Sequence, residues 1–114
     1  MGTAAGSVTR NRMKSNASPM DEFARLWEAH RDSKWPKFAS PDQGELMTLD
    51  TVISGCATCY LESPDGLDAQ RRAILFQCLD DLQTLLPHIP EEAADYFARL
   101  HRLAWLLHHA SEKG

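Results

Sequence analysis

Apolar residues recur at steps of three and four along four segments of this chain, and this spacing constrains its fold more than any other feature. On an α-helix such steps return to one face, whereas a strand needs alternation. The segments span residues 19–31, 41–61, 64–86 and 90–110. The repeating residues are Met20, Phe23, Ala24, Trp27 and His30; Leu46, Leu49, Ile53, Cys56 and Tyr60; Leu75, Cys78, Leu79, Leu82 and Leu86; and Ala93, Phe97, Leu100, Ala104 and Leu107. The sequence therefore predicts an all-α protein with four helices.

Proline marks the expected start of each helix. Ser-Pro pairs at 18–19, 40–41 and 63–64 open the first three, with serine as N-cap and proline as the first helical residue. Proline lacks the N–H that the first turn cannot use, and the serine hydroxyl accepts a hydrogen bond from a free backbone N–H. The fourth helix starts at Pro90, where Glu91 and Glu92 complement the helix dipole. Pro87 is expected to end the third helix.

Helix and connection lengths predict an up-down helical bundle of three long antiparallel helices plus a shorter N-terminal helix. The shorter helix precedes a linker over residues 32–39, in which Trp35 and Phe38 are expected to hold it in place. It either completes a four-helix bundle or packs on a partner chain. We expect a single domain over residues 18–110, a disordered tail at 1–17 and a frayed C-terminus at 111–114.

Charge is divided unevenly along the chain. Residues 1–17 hold three of the 12 basic residues and no acid, which leaves nine basic and 16 acidic residues in the remainder. Such a small, polar and basic segment is typical of disorder. The acidic remainder argues against nucleic acid as a partner, because phosphate binding needs a basic surface. No stretch approaches the ~18 consecutive apolar residues of a membrane-spanning helix, so an integral membrane protein is excluded.

Several large apolar residues lie outside the four stripes. In the last helix Trp105 and Leu106 project away from the stripe, and in the third Ile74 and Phe76 flank it on opposite sides. A first helix packed within the same chain would cover about half of this surplus. We expect these four residues to form a surface for self-association or for a protein partner, because buried aromatic anchors dominate such surfaces.

A thiol- or metal-sensing regulator is one alternative. It would use Cys56, Cys59 and Cys78, with one of the histidines at positions 101, 108 and 109. A reactive Cys-x-x-Cys usually sits at a helix N-terminus, where the dipole lowers the thiol pKa, but this pair lies near the end of its helix. We therefore expect small core residues and no metal site. An odd number of cysteines without a secretory signal pattern favours reduced thiols and a cytoplasmic protein.

A second alternative is a small regulator that contacts nucleic acid through an arginine patch. Arg71 and Arg72 lie on the third helix, and Arg99 and Arg102 on the fourth. DNA-reading helices are usually short and basic, whereas these are long and belong to an acidic domain. We therefore expect nucleic acid to be an unlikely partner.

Sequence patterns of enzymes are missing from the chain. It has no Gly-rich phosphate loop, nucleophile elbow, His-Glu-x-x-His or Glu-x-x-His. We therefore expect neither catalysis nor a cofactor. The sequence favours a non-enzymatic helical protein–protein interaction module of the adaptor, chaperone or inhibitor type, which self-associates.

Overall fold

The computed structural model describes residues 19–63 and 65–112, and it contains four α-helices. Helix α1 spans Pro19–Asp32, α2 spans Gln43–Glu62, α3 spans Ala69–Leu85 and α4 spans Glu91–Glu112. A 3-10 turn over Leu86–His88 joins the last two helices. The described residues contain no strand, and the all-α prediction is confirmed. The tail over residues 1–17 and the last two residues, 113 and 114, lie outside the described part.

The helices pack as an antiparallel four-helix bundle. Phe23 near the start of α1 contacts Tyr60 near the end of α2, and His30 near the end of α1 contacts Asp50 in the first half of α2. Similarly, Arg72 at the start of α3 donates to the carbonyl of Ser111 at the end of α4. Helix α1 therefore completes the bundle within its own chain, which was one of the two arrangements that the sequence allowed.

The core is formed mainly by the predicted stripes, to which the structure adds Leu103 and Leu106 of α4. Its fully buried side chains come from all four helices: Phe23, Leu46, Ile53, Leu75, Leu82, Phe97, Leu100, Leu103 and Leu107. In the linker, Trp35 and Phe38 both pack edge-on against Phe97 of α4 at centroid distances of 5.5 and 5.8 Å. Ala24 is exposed, although it was expected on the buried face. Phe23 and Trp27 define that face, and the short Ala24 side chain lies at its outer edge.

Helix α3 was predicted to start at Pro64, but in the structure it starts five residues later, at Ala69. After Ser63 the chain turns, with the Gly66 N–H donating to the Ser63 carbonyl at 3.1 Å and a Gly66 φ of 77°. A left-handed residue cannot continue a helix, so α3 begins at Ala69. Asp68 is its N-cap and accepts a hydrogen bond from the Arg71 N–H.

The other helix ends differ from the predictions by smaller amounts. Helix α2 starts at Gln43, and the Ser40 hydroxyl accepts from the Asp42 N–H at 3.1 Å. Helix α4 extends through Ser111 and Glu112, which were expected to fray. Ser111 is buried, and its polar groups are satisfied: its hydroxyl donates to the Leu107 carbonyl, and its own carbonyl accepts from Arg72. None of the helices described is long and apolar enough to cross a membrane.

Candidate functional site

Five large apolar side chains of the described residues are exposed on the surface. They are Met47 (49%) and Leu61 (51%) on α2, Ile74 (42%) and Phe76 (59%) on α3, and Trp105 (38%) on α4. Phe76, Ile74 and Trp105 are therefore exposed, as the sequence predicted. The same prediction for Leu106 is wrong, because Leu106 is only 2% exposed.

The burial of Leu106 follows from the position of α4 in the bundle. Helix α4 packs against α1, α2 and α3 together, so a large part of its circumference is covered. Leu103, Leu106 and Leu107 are all buried, and the buried face of α4 is wider than the single stripe seen in the sequence. Trp105 lies on the exposed face of α4, together with Ala98, Arg102 and His109.

Phe76 and Trp105 line one groove between α3 and α4, with a volume of about 380 Å³. Its other lining residues are Leu79, Asp80, Gln83, His101, His108 and His109. We call this site the α3/α4 groove. Ile74 is not among its lining residues, since it lies about 200° around α3 from Phe76. The two helices thus bring together two of the four predicted surface anchors.

Aromatic rings in contact form the walls of the groove. The Phe76 ring packs on His108 at a centroid distance of 5.3 Å, and the Trp105 indole stacks on His109 at 3.7 Å. The His109 Nδ1 lies 3.0 Å from the Trp105 carbonyl oxygen. The guanidinium of Arg102 also lies over the indole, 5.0 Å from its centroid, and forms an ion pair with Glu22 of α1. These contacts hold Trp105 in place while part of its ring remains in water.

The polar groups of the groove divide between the two helices. Asp80 is the acid, and it belongs to α3, whereas the three imidazoles belong to α4. Burial lowers the pKa of His101 and so favours its neutral form. The Nε2 atom of His101 is buried and has no hydrogen-bond partner among the described residues.

The four arginines of the predicted patch point to separate partners. Arg71 pairs with Asp68, and Arg72 donates to the Ser111 carbonyl. Arg99 donates to the Ser33 hydroxyl, and Arg102 pairs with Glu22. Arg99 and Arg102 therefore face the linker and α1. Arg72 of α3 instead lies beside the C-terminal end of α4. The structure does not bring the four together into one basic surface.

The three cysteines are all free thiols near the interface of α2 and α3. Burial raises the pKa of Cys56, and it raises the pKa of Cys78 to about 11. Both groups are therefore held as neutral thiols, the unreactive form. Within residues 19–63 and 65–112, no three histidine, cysteine or acidic side chains converge to hold a metal ion.

A second depression, of about 450 Å³, lies beside the turn between α2 and α3. Its lining is mainly acidic and polar and includes Glu62, Asp65, Asp68 and Cys59. Two of its charged side chains, Asp68 and Arg71, already form an ion pair with each other. No aromatic side chain lines it, so it offers none of the anchors that mark a protein-binding surface.

A half-buried polar cluster joins three helices and was not found from the sequence. His30 of α1 places its Nε2 2.6 Å from Asp50 Oδ1 of α2, and Tyr96 of α4 donates to Asp50 Oδ2. Ser54 donates to Asp50 Oδ1 at 3.2 Å. Burial alone raises the pKa of Asp50, but the hydrogen bonds from His30, Tyr96 and Ser54 together outweigh it and lower that pKa. The one signal in the sequence was a histidine within an apolar stripe.

Comparison with known proteins adds no further constraint. No family model matches the chain, and no curated protein or solved structure shows significant similarity to it. Any functional assignment therefore has to come from the geometry of the site.

Proposed function

We propose that this protein is a non-enzymatic interaction module that binds a second copy of itself through the α3/α4 groove. The observation that carries the proposal is the exposure of Phe76 and Trp105 on adjacent helices, where both line one groove. Exposed aromatic side chains in a shallow cleft are typical anchors of protein interfaces. Adaptor, chaperone and inhibitor proteins all use surfaces of this kind.

Hydrogen-bond complementarity favours a second copy as the occupant, because an imidazole N–H donates to a carboxylate. The groove has its acid, Asp80, on the α3 side and its three imidazoles on the α4 side. In a dimer with two-fold symmetry, each surface meets the same surface of the other copy. An arrangement that sets α3 of one copy against α4 of the other would place each Asp80 carboxylate beside imidazole N–H donors of the partner. The protruding Phe76 of each copy would then enter the groove of its partner.

The size of the face indicates a weak dimer. Helix α3 has 17 residues, so it is about 25 Å long, and two neighbouring helices are about 20 Å wide. Two copies would therefore bury a total of roughly 1,000 Å², near the lower limit of specific interfaces. We expect a dissociation constant in the micromolar range or above.

The cytoplasm suits this function, since all three cysteines are unpaired. Disulfides form readily in oxidising compartments and are rare in the cytosol. The raised thiol pKa values of Cys56 and Cys78 make these two thiols poorly reactive toward oxidants.

Sedimentation equilibrium over a wide range of protein concentration tests the proposal. The wild type should show a reversible monomer–dimer equilibrium, and Phe76→Ser and Trp105→Ala should each raise its dissociation constant at least about tenfold. Both residues are exposed, so the variants should fold. Leu61→Ser on α2 and Ile74→Ser on α3 are the matched controls, because both side chains are similarly exposed but lie outside the groove.

Two results would contradict this proposal. One is a wild type that remains monomeric at every concentration reached. The other is a dimer that the control substitutions weaken as much as Phe76→Ser does, which would place the interface elsewhere on the surface.

A further inference from the structure

Two residues of α4 hold the Trp105 ring in position. Arg102 lies one turn before Trp105, with its guanidinium 5.0 Å from the ring centroid. His109 lies one turn after it, with the imidazole stacked at a centroid distance of 3.7 Å. A guanidinium over an indole is attracted by the electron-rich face of the ring. The orientation of Trp105 therefore depends on where the Arg102 side chain lies.

The Arg102 side chain is fixed by a residue of another helix. Its Nε donates to Glu22 Oε2 at 2.9 Å, and its Nη2 donates to Glu22 Oε1 at 3.0 Å. Exposed ion pairs usually contribute little, because two long side chains must be ordered in water, but paired hydrogen bonds between a guanidinium and a carboxylate are stronger. Glu22 belongs to the first turn of α1. Helix α1 thus reaches a side chain that orients a residue of the α3/α4 groove.

An anchor that is already ordered binds a partner more strongly than a mobile one. Fixing a side chain on association weakens binding by roughly twofold to tenfold, and a side chain fixed beforehand avoids this cost. Part of the Trp105 ring remains exposed for a partner, while Arg102 and His109 restrict its motion. The contacts of Arg102 should therefore matter for association even though Arg102 does not line the groove.

We infer that Arg102 and Glu22 are positioning residues of the α3/α4 groove: Glu22 of α1 holds Arg102 over the Trp105 ring, and the ordered ring binds the second copy. This inference rests on the function proposed above and adds a third helix to its interface. Neither Glu22 nor Arg102 lines the groove, so both act through Trp105. A change that moves α1 away from α4 would also release Trp105, which makes the docking of α1 a requirement for strong self-association.

Sedimentation equilibrium of the full chain tests the role of Arg102. Arg102→Gln should raise the dissociation constant of the dimer roughly threefold to tenfold. Arg71→Gln is the matched control, because Arg71 is also ion-paired and its side chain is 50% exposed, against 48% for Arg102, but it lies outside the groove. Both variants lose one positive charge, so a difference between them cannot come from the charge of the whole molecule.

A double-mutant cycle tests whether Glu22 acts through Arg102. Glu22→Gln should weaken the dimer of the otherwise wild-type chain and should have no further effect on the Arg102→Gln variant. Glu28→Gln, which changes an exposed glutamate of the same helix, is the control with the same change in charge.

Fluorine NMR of the chain labelled with fluorotryptophan reports on the ring itself. The Trp105 resonance is identified by its loss in Trp105→Ala. At dilute concentration, where the monomer predominates, this resonance should shift or broaden in Arg102→Gln and stay unchanged in Arg71→Gln. The helical circular dichroism of both variants should equal that of the wild type.

The outcomes distinguish the two proposals. A dimer that Arg102→Gln weakens no more than Arg71→Gln does, or a Trp105 resonance that Arg102→Gln leaves unchanged, would overturn the inference and leave the proposed function standing. Equal weakening by Glu22→Gln with and without Arg102 would also overturn it, because Glu22 would then act by another route. A chain that is monomeric at every concentration would overturn the proposed function and the inference together.

Discussion

Trp105 and Leu106 are neighbours in the sequence and have different environments in the bundle. Leu106 is 2% exposed and lies in the core, whereas Trp105 is 38% exposed and lines the α3/α4 groove. A rotation of 100° about the axis of α4 separates the two side chains. Stability and association should therefore respond to different substitutions at these adjacent positions.

Substitution Leu106→Ala should lower the free energy of unfolding by about 2–5 kcal/mol, because it removes buried methyl groups and leaves a cavity. Trp105→Ala should cost much less stability, although it should weaken the dimer. Urea unfolding of both variants at dilute concentration, where the monomer predominates, measures this difference. A loss below about 1 kcal/mol for Leu106→Ala would contradict the packing described for α4.

The helix starts show that a capping pattern in the sequence marks the start of a helix only where the turn before it allows. All three Ser-Pro pairs have the local features of an N-cap followed by the first helical residue. Ser40 accepts a hydrogen bond from the Asp42 N–H beside the start of α2. Ser63, in contrast, is the C-cap of α2, and the chain must turn at Gly66 before α3 can begin. The Asp68 side chain provides the cap instead.

This assignment predicts different effects for two substitutions in the same connection. Asp68→Ala should lower the Tm by a few degrees, because the Arg71 N–H and the Arg71 guanidinium both lose an acceptor at 2.8 Å. Ser63→Ala should leave the Tm nearly unchanged. Thermal unfolding followed by circular dichroism compares the two variants. If Ser63→Ala had the larger effect, the cap of α3 would lie at Ser63 after all.

At the scale of the whole molecule, the Asp50 cluster fixes how α1 joins the bundle. The carboxylate of Asp50 accepts hydrogen bonds from α4 and from its own helix, and it contacts His30 of α1. The first helix is thus held by a polar contact in addition to the burial of Phe23. Hydrogen bonds have stricter geometry than apolar contacts, so the cluster favours one position of α1 on α2 and α4.

The lowered pKa of Asp50 predicts a specific loss of stability in acid. A carboxyl group whose pKa is lower in the folded state stabilises the fold above its unfolded value and loses that contribution as pH falls through the folded value. The window therefore lies below about pH 4. Asp50→Asn should cost about 1–3 kcal/mol at neutral pH, and its difference from wild type should shrink in acid. Urea unfolding from pH 6 to pH 3 measures this.

Asp95→Asn serves as the control for this pH series, because Asp95 is an exposed aspartate of α4 next to Tyr96. Its stability should parallel that of the wild type at each pH. A constant difference between wild type and Asp50→Asn down to pH 3 would show that the ionised form of Asp50 does not contribute.

Local spacing of apolar residues was enough to predict the all-α class, the four α-helices and most of the core. Phe23, Ile53, Leu82 and Phe97 could be assigned to buried faces because the helical period is a local property of the chain. The sequence also showed that Phe76 and Trp105 lie outside the apolar stripes of their helices. This information is carried by residues three and four apart and needs no knowledge of neighbouring helices.

How those faces meet could not be predicted from local spacing, because it depends on contacts between helices. The burial of Leu106 depends on the three helices around α4, and the contact of His30 with Asp50 joins residues 20 apart in the chain. The α3/α4 groove likewise exists because an antiparallel pairing places Phe76 beside His108. Such contacts depend on the packing angle and relative rotation of whole helices, which residues distant in the sequence set together.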